Sequence, residues 1–390
     1  MRFSVFDSRF SISEMKDSAA IRDVKRILIL RTDGIGDVLN STPAIRALCD
    51  AYRDVHISVL VRPPGAEILL LNPYIDEILV YDVDDLHKSP IARLRFLGQL
   101  RARRYDLAVV LHNSSQCNFM AYLSGARYRV GRKSERKRFS FTLTHGVSSR
   151  DPKGTKHEID RNMDVVRLIG ARGDGTRELV LCLSEEERAW AWDFLSRQGV
   201  GVRHVSPLLV GIHPGGSSFD KLWPAENFAQ VANRLMQEFG ARIILFSGPG
   251  EGDLAQVIQR SIADQGRKLR DTACRVPTPV ISADGLRVRQ LAALIEKCSL
   301  FLCNDSGPMH IAAALNVPTV AVFGPTDHVR WKPCNEKAVI VRKDMDCWPC
   351  SAHKCKRGFE CMKSLPVSNV LDAGHSILDA GKKTTEARRH

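Results

Sequence analysis

One short segment near the start of the chain combines glycines with a carboxylate directly after an apolar run. The segment runs from Arg31 to Leu39 (RTDGIGDVL) and separates a predicted strand from a predicted helix. Gly34 and Gly36 let a ligand approach the backbone, and a helix N-terminus favours negative charge. Asp37 is placed either for acid–base chemistry or simply for capping the helix. A nicotinamide site is disfavoured, because the third glycine of the dinucleotide fingerprint and its later acidic residue are missing.

A second segment, from Gly211 to Pro224, also follows a predicted strand directly. Its Gly-Gly-Ser-Ser run offers backbone amides and hydroxyls, and one lysine follows. Ser217, Ser218 and Lys221 could therefore surround and neutralise a diphosphate. The spacing is not that of a Walker loop, and an ordinary glycine-serine loop with a surface lysine is the alternative.

A third segment, from Cys303 to Leu315, begins with a strand and continues into a helix rich in small residues. Ser306 and Gly307 suit the N-terminus of that helix, whose amides and dipole would point at a pyrophosphate. Asp305 could accept hydrogen bonds from sugar hydroxyls or cap the helix. His310 is more simply explained as a half-buried histidine that is hydrogen-bonded within the protein.

Four of the eleven cysteines fall in one stretch, at Cys347, Cys350, Cys355 and Cys361. With His353 among them they could bind a structural zinc, although the gap between the pairs is shorter than in zinc ribbons. Unliganded thiols are the alternative and the preferred interpretation. Because no secretory leader is recognisable, disulfides are not expected.

The elements that would position these segments are short apolar runs alternating with longer helical stretches, a pattern typical of βαβ units in a parallel sheet. The pattern occurs twice, with strands predicted at 26–30, 56–61, 77–81 and 107–111, and again at 208–212, 242–246, 300–303 and 319–323. A helix over Val38 to Tyr52 follows the first strand. Between the two series, a helix begins at Ser184 with a capping box to Glu187 and ends near Gly199.

These elements predict an α/β chain of two domains, which its length of 390 residues also suggests. The predicted division is an N-terminal extension at 1–24, one domain at 25–199, a second at 200–366, and a C-terminal helix with a basic tail at 367–390. The final helix, near Val367 to Leu378, is expected to fold back across the first domain.

The formal net charge of +13 implies an anionic partner: nucleic acid, a phosphorylated glycolipid or inner-leaflet phospholipid. The densest basic stretch, predicted to be a functional loop, contains Arg127, Arg129, Arg132, Lys133, Arg136, Lys137 and Arg138. No early run resembles a signal peptide, and no apolar run is long enough to cross a membrane. We therefore expect a cytoplasmic protein with, at most, a peripheral and electrostatic contact at the inner face of the cytoplasmic membrane.

In order and spacing, the three segments resemble the ADP-heptose:lipopolysaccharide heptosyltransferases, glycosyltransferase family 9. The residues that carry the resemblance are the Gly-Ile-Gly-Asp turn at 34–37, the HPGGSS and KLWP pieces at 213–224, and NDSGPMHIAAAL at 304–315. Further matches are GPGE at 248–251, Gly324-Pro325-Thr326, and His157 with Arg161-Asn162. The resemblance extends from about Lys25 to Met362, so the flanking segments are extra to it.

The resemblance implies the GT-B architecture, in which two Rossmann-like domains face each other across a cleft. It implies an inverting transferase that moves heptose from ADP-heptose to a hydroxyl of the lipopolysaccharide core, with Asp37 as the general base. Lys221 would stabilise the departing phosphate and Glu251 would meet the ribose or adenine. The implied donor residues are Ser217, Ser218, Lys221, Glu251, Asp305, Ser306, Gly307 and His310. The acceptor-side candidates are Gly34, Gly36, Arg132, Lys133 and Arg136.

The resemblance also implies that no divalent metal is required, and Asp84-Asp85 is the one weak candidate for a carboxylate pair. Two other classes of function stay open at this stage. One is a transferase for another nucleotide sugar or acceptor, or a sugar-nucleotide epimerase or hydrolase of the same shape. The other is a nucleic-acid-binding protein, which is disfavoured because no recognition module is present.

Overall fold

The computed structural model describes residues 21–151, 154–200, 208–270, 280–348, 350 and 355–387, except for the side chains of 265–270 and 381–387. Over these residues the chain forms two parallel sheets of six strands each. The first sheet contains β1 Arg26–Leu30, β2 His56–Val61, β3 Glu77–Val80, β4 Leu107–Val110, β5 Tyr128–Lys133 and β6 His145–Ser148. The second contains β7 Leu209–His213, β8 Arg242–Ser247, β9 Ile281–Asp284, β10 Leu300–Asn304, β11 Thr319–Phe323 and β12 Ala338–Arg342.

Helices connect the strands and cover the sheets. Those that precede β7 are α1 Ile35–Leu39, α2 Thr42–Ala51, α3 Pro63–Leu69, α4 Pro90–Ala102, α5 Ser115–Leu123, α6 Glu158–Arg167 and α7 Glu185–Arg197. Those that follow it are α8 Ala225–Phe239, α9 Gly252–Arg270, α10 Val288–Glu296, α11 Gly307–Ala314, α12 His328–Trp331, α13 Glu360–Lys363 and α14 Val367–Ala387. Short 3-10 turns lie at Ser140–Thr142 and Phe219–Lys221.

Both sheets have the same strand order. In the first it is β3-β2-β1-β4-β5-β6, and in the second it is β9-β8-β7-β10-β11-β12. This is the doubly wound Rossmann order, in which a ligand crevice opens where the order reverses. The central strands are apolar throughout because helices cover both of their faces, as the fully buried β7 illustrates. The predicted pair of Rossmann-like domains is thus confirmed.

Four strands were missed from the sequence, namely β5, β6, β9 and β12. β5 lies within the basic stretch that was predicted to be a loop, so that prediction is wrong for Tyr128–Lys133. Its alternating charged residues hide the apolar signal. β6 has only four residues, and β9 alternates buried and exposed positions as an edge strand does.

Two helix predictions also need correction. The helix expected over Val38 to Tyr52 is two helices, α1 and α2, and Pro43 sits in the first turn of α2, where its missing N–H is tolerated. The final helix does not fold back on the first sheet, because α14 packs against α8 and the strands β10 to β12 of the second. The capping box between Ser184 and Glu187 is confirmed, with both hydrogen bonds present at the start of α7.

The two domains meet along the carboxyl ends of their sheets. Helix α1, which follows β1, packs against α11, which follows β10. Helix α10 of the second domain also packs against α3 and α7. The loops at the two points of strand-order reversal therefore face each other.

Candidate functional site

A cavity of about 590 Å³ lies between the carboxyl ends of the two sheets. From the first domain it is lined by the turn at 34–37. From the second domain it is lined by parts of the Gly-Ser loop after β7, the GPGE segment after β8 and the start of α11, including Gly216, Ser217, Lys221, Glu251, Asp305, Ser306, Gly307 and His310. The structure thus brings together the glycine turn, the Gly-Ser loop and the start of α11, which lie far apart in the sequence.

The turn after β1 carries Asp37 into this cavity. Gly34 has an extended backbone and Asp37 lies in the first turn of α1, so its carboxylate does not cap the helix. Gly36 permits the close approach of the domains, since a Cβ atom there would overlap the ring of His310. The capping alternative for Asp37 is therefore not what the structure contains.

The Asp37 carboxylate is mostly buried and is held by one arginine. Arg31, only 1% exposed, donates from Nη2 to Asp37 Oδ1 at 2.9 Å and from Nε to the backbone carbonyl of Asp37 at 3.0 Å. Burial raises the pKa of Asp37 above the ordinary aspartate value; Arg31 opposes this, Asp33 and Glu158 add to it, and His310 opposes it. The net result is a carboxylate with a raised pKa, which makes it a better proton acceptor than a solvated aspartate.

Behind Asp37 lies a buried carboxylate, Glu158, surrounded by arginines. Its Oε1 accepts from Arg31 at 3.4 Å and from Arg132 at 2.9 Å. Its Oε2 accepts from Arg330 at 2.9 Å and lies 3.5 Å from Arg161. Burial alone would raise the pKa of Glu158, but Arg132, Arg31 and Arg330 outweigh it and hold the pKa at about 2. Glu158 is therefore ionised throughout the physiological range.

Arg132 was expected to face the acceptor, and the structure places it elsewhere. It is 4% exposed and donates to Glu158, to the Leu111 carbonyl and to the Asn162 side chain. Arg132 therefore supports the Arg31–Glu158 contact from β5 and presents no charge to solvent.

The Gly-Ser loop after β7 is fixed by Glu251. The Glu251 carboxylate accepts from the backbone amides of Gly216 at 3.1 Å and Gly248 at 2.7 Å, and lies 3.2 Å from His213 Nε2. Burial raises the pKa of Glu251, but His213 and the two amides outweigh it, so the net pKa is below the ordinary value. Glu251 therefore holds the loop after β7 and the loop after β8 together as one wall of the cavity.

The two serines of this loop differ in position. Ser217 is exposed and lines the cavity. Ser218 is not among the lining residues; its carbonyl accepts from the Lys221 amide and begins the 3-10 turn. Of the two predicted diphosphate hydroxyls, only that of Ser217 faces the cavity.

Lys221 is paired with Asp305 across the cavity. Its Nζ lies 2.8 Å from Asp305 Oδ2, and the two side chains are 24% and 7% exposed. Both were predicted as donor-binding residues, and the structure adds that they form an ion pair with each other. A diphosphate arriving here would compete with Asp305 for the ammonium group.

The N-terminus of α11 points into the same cavity. Ser306 precedes the helix, its side chain makes no capping hydrogen bond, and its hydroxyl is buried without a partner among the described residues. Gly307 and His310 follow on the cavity side. Burial lowers the pKa of His310 to about 4, so its ring is neutral at physiological pH. A helix N-terminus with an unpartnered hydroxyl is suited to an anion.

A separate basic cavity of about 980 Å³ lies beside β5 and β6. Lys133, Arg136, Lys137 and Arg150 line it, together with Phe141, whose side chain is 84% exposed. The acceptor-side candidates Lys133 and Arg136 therefore share a surface with each other and not with Asp37.

Among the described residues, no helix has the length and apolar content needed to span a bilayer.

The four cysteines at 347–361 line one small cavity next to Gly324 and Pro325. Burial and the neighbouring thiols raise the pKa of Cys361. Within the part of the chain that the structure describes, which does not include His353, no three His, Cys, Asp or Glu side chains are arranged to hold a metal. The structural-zinc prediction thus finds no ligand set among these residues.

Sequence reasoning gave no role to several residues that shape the site. Arg31 and His213 stood inside the quoted segments, and Glu158 stood beside His157, so position next to a motif was the one signal that could have found them. Trp331 lines the cavity and Arg330 reaches Glu158 from α12, a four-residue helix with no marked sequence pattern. Their roles become visible only when the two domains are placed together.

Known proteins similar to this chain include lipopolysaccharide heptosyltransferases and a glycosyltransferase family 9 structure. The chain is 29% identical over 315 residues to lipopolysaccharide heptosyltransferase 3 of Escherichia coli, covering 78% of this chain and 85% of that protein. A solved glycosyltransferase family 9 structure from Veillonella parvula superposes with a TM-score of 0.75 at 25% identity, covering 91% of this chain and 97% of that one. E. coli ADP-heptose lipopolysaccharide heptosyltransferase II gives a TM-score of 0.69 at 22% identity, covering 92% and 99%.

The fold is accordingly the predicted GT-B architecture. The model of the family described as glycosyltransferase family 9 (heptosyltransferase) matches residues 93–359, which is more than half of the sequence. This chain therefore belongs to glycosyltransferase family 9 and is a glycosyltransferase.

Proposed function

We propose that the protein transfers heptose from ADP-heptose to a hydroxyl of the lipopolysaccharide core, with inversion at the anomeric carbon and with Asp37 as the general base. The observation that carries the proposal is the shared cavity, in which Asp37 of the first domain faces Lys221 and the α11 N-terminus of the second. A base on one wall and a diphosphate site on the other match an in-line displacement.

On the donor side, the diphosphate lies against Lys221, Ser217 and the N-terminus of α11 at Ser306 and Gly307. Lys221 and the helix dipole then neutralise the charge that develops on the departing phosphate, with no divalent ion required. Glu251 lies next to the ribose or adenine of the donor. Asp305 loses its contact with Lys221 and accepts hydrogen bonds from the sugar. His310 is neutral, so it contacts the sugar as a hydrogen-bonding group without charge.

In the reaction, the acceptor hydroxyl loses its proton to Asp37 as its oxygen bonds to the anomeric carbon. The bond from that carbon to the β-phosphate oxygen breaks, and ADP leaves. The raised pKa of Asp37 suits this step, and a positioned base contributes on the order of 10²- to 10⁴-fold in rate.

On the acceptor side, Lys133 and Arg136 meet anionic groups of the core oligosaccharide. Their basic cavity and the exposed Phe141 support a peripheral contact with the inner face of the cytoplasmic membrane, where such an acceptor is anchored. We place the enzyme in the cytoplasm, with 25–199 as its acceptor-side and 200–366 as its donor-side domain. Because the chain belongs to a glycosyltransferase family, its positive net charge does not require a nucleic-acid partner.

The decisive experiment replaces Asp37 with asparagine, which keeps the shape and removes the base. We expect kcat to fall on the order of 10²- to 10⁴-fold while the Kd for ADP changes by less than about threefold. The wild-type rate should rise with pH through the raised pKa of Asp37, because the base must be ionised.

Asp33→Asn is the matched control, since Asp33 also contacts Arg31, at 3.1 Å, yet does not line the cavity. A larger loss of turnover in Asp33→Asn than in Asp37→Asn would contradict the assignment of the base. Preference for UDP over ADP in a binding titration would instead favour the alternative, a transferase for another nucleotide sugar.

A further inference from the structure

The Glu158 carboxylate is shared between the two domains. Its Oε1 faces Arg31 and Arg132 of the first domain. Its Oε2 accepts a hydrogen bond of 2.9 Å from Nε of Arg330, which belongs to α12 of the second domain, and lies 2.8 Å from Nη2 of the same residue. The Glu158 side chain is 1% exposed and that of Arg330 is 35% exposed, so the carboxylate is buried while the guanidinium reaches it from the surface.

The next contact in the series is the catalytic carboxylate itself. Arg31 touches Glu158 at 3.4 Å and Asp37 at 2.9 Å with the same nitrogen, Nη2. Arg330, Glu158, Arg31 and Asp37 therefore form an alternating series of charges that begins in one domain and ends at the base in the other.

Helix α12, which supplies Arg330, is joined to the start of α6 by a second contact, a hydrogen bond, and the helix also lines the cavity. His157 Nδ1 accepts from the Ile159 amide, so its Nε2 carries the proton and donates to the Lys332 carbonyl at 2.8 Å. Trp331, between the two contact residues, lines the cavity that holds Asp37. Any movement of α12 therefore alters both the cavity wall and the Glu158 ion pair.

We propose that Arg330 and Glu158 are positioning residues for the base, which hold Asp37 in its productive state only while α12 of the donor domain lies against α6. This inference rests on the proposed role of Asp37. Glu158 is surrounded by Arg31, Arg132, Arg161 and Arg330. Without Arg330, fewer arginines offset the charge of Glu158, which then interacts more strongly with Arg31 and repels the Asp37 carboxylate more strongly.

The direction of the effect follows from the charges that face Asp37. These are Arg31 and Asp33 beside it, Glu158 of α6, and two histidines, His310 of α11 and His112 after β4, whose pKa values are both lowered to about 4. Because both histidines are neutral near pH 7, Glu158 and Arg31 are the charges that a change at α12 can alter. Loss of Arg330 should raise the pKa of Asp37, and loss of the Glu158 charge should lower it.

The test compares pH profiles of kcat/KM for Arg330→Ala and Glu158→Gln with the wild type. We expect the acidic limb to move up by about half a pH unit or more in Arg330→Ala, a change of about threefold in the ratio of protonated to ionised Asp37. In Glu158→Gln the limb should move in the opposite direction. Arg330→Lys, which keeps the charge, should restore much of the wild-type profile.

Arg188→Ala is the control, because Arg188 of α7 pairs with Glu296 of α10 at 3.1 Å. Within the described residues, Arg188 has no hydrogen bond or ion pair with the cluster formed by Arg330, Glu158, Arg31 and Asp37. Its profile should keep the wild-type limb. If Arg330→Ala lowers kcat/KM equally at every pH, or if both cluster variants shift the limb in the same direction, the inference is wrong.

A second measurement separates this inference from the proposed function. In protein labelled with ¹³C-aspartate, the carboxyl resonance of Asp37, assigned from Asp37→Asn, reports its pKa without turnover. A shifted pKa in Arg330→Ala supports the positioning role even if Asp37→Asn stays active, which would refute only the role of Asp37 as base. An unshifted pKa overturns the positioning role whatever the activity.

Discussion

Replacing Lys221 with alanine tests the donor side of the cavity most directly. Lys221 is the cation that lines the cavity from the Gly-Ser loop, and in the structure its ammonium is paired with Asp305 at 2.8 Å. A bound diphosphate would take the place of that partner. The substitution removes the charge and leaves Ser217 and the N-terminus of α11 in position.

The magnitude follows from the environment of the pair. A unit charge about 4 Å from a phosphate oxygen, at an effective dielectric constant near 20, gains ~4 kcal/mol. Part of this is lost because Lys221 is 24% exposed and must give up Asp305. The net loss should be about 2–3 kcal/mol, which weakens ADP binding about 30- to 150-fold.

The assay is calorimetric titration with ADP and with AMP, each in the presence of a chelator and then of magnesium. AMP lacks the β-phosphate, so its Kd should change less than about threefold in Lys221→Ala. Lys297→Ala is the control, since Lys297 is 14% exposed and paired with Glu296 outside the cavity. Equal weakening of ADP and AMP, or ADP binding that depends on magnesium, would refute the role given to Lys221.

Two further predictions concern the contact between the domains and the acceptor surface. Gly36→Ala should destabilise the protein by about 1–3 kcal/mol and lower its Tm, because the new methyl group overlaps His310. Gly34→Ala should lower the Tm clearly less, because its methyl group makes an ordinary 3.4 Å contact. Equal Tm values for the two variants would contradict this prediction. Replacing Lys133 and Arg136 together with alanine should raise KM for an anionic acceptor on the order of tenfold at low salt and flatten its salt dependence. The donor KM should not change, and a matching rise there would show that the surface acts through folding instead.

The sequence was sufficient for most of the architecture because parallel strands covered on both faces are nearly continuous apolar runs. Eight of the twelve strands in the described residues were located, most of them with this character; the located edge strand β3 is only partly buried but is still an apolar run. The β5 strand escaped detection because Arg129, Arg132 and Lys133 interrupt its pattern. Edge strands such as β6 and β9 are short and half exposed, so their local pattern resembles that of a loop.

The site was predictable where its chemistry is local and unpredictable where it depends on contacts distant in sequence. Asp37, Lys221 and the start of α11 each belong to a segment that follows a strand, and that position predicted their place at the sheet edge. The partners of Glu158 lie 127 residues away at Arg31 and 172 away at Arg330, so no local pattern links them. For the same reason Arg132 was interpreted as a surface charge, although burial against Glu158 is its actual setting.

The packing of α14 has a consequence for how the protein is made. Val370, Leu371 and Leu378 are buried in the same apolar cluster as Leu235, Val320 and other residues of the second domain. Burial of each such side chain is worth about 1.5–3 kcal/mol, so the second domain lacks several kcal/mol of core until this helix is present. During synthesis the first domain can fold early, whereas the second must wait for the last residues of the chain. A ribosome that stops before codon 367 would release a protein with an exposed apolar sheet face, which is a target for chaperones and proteases.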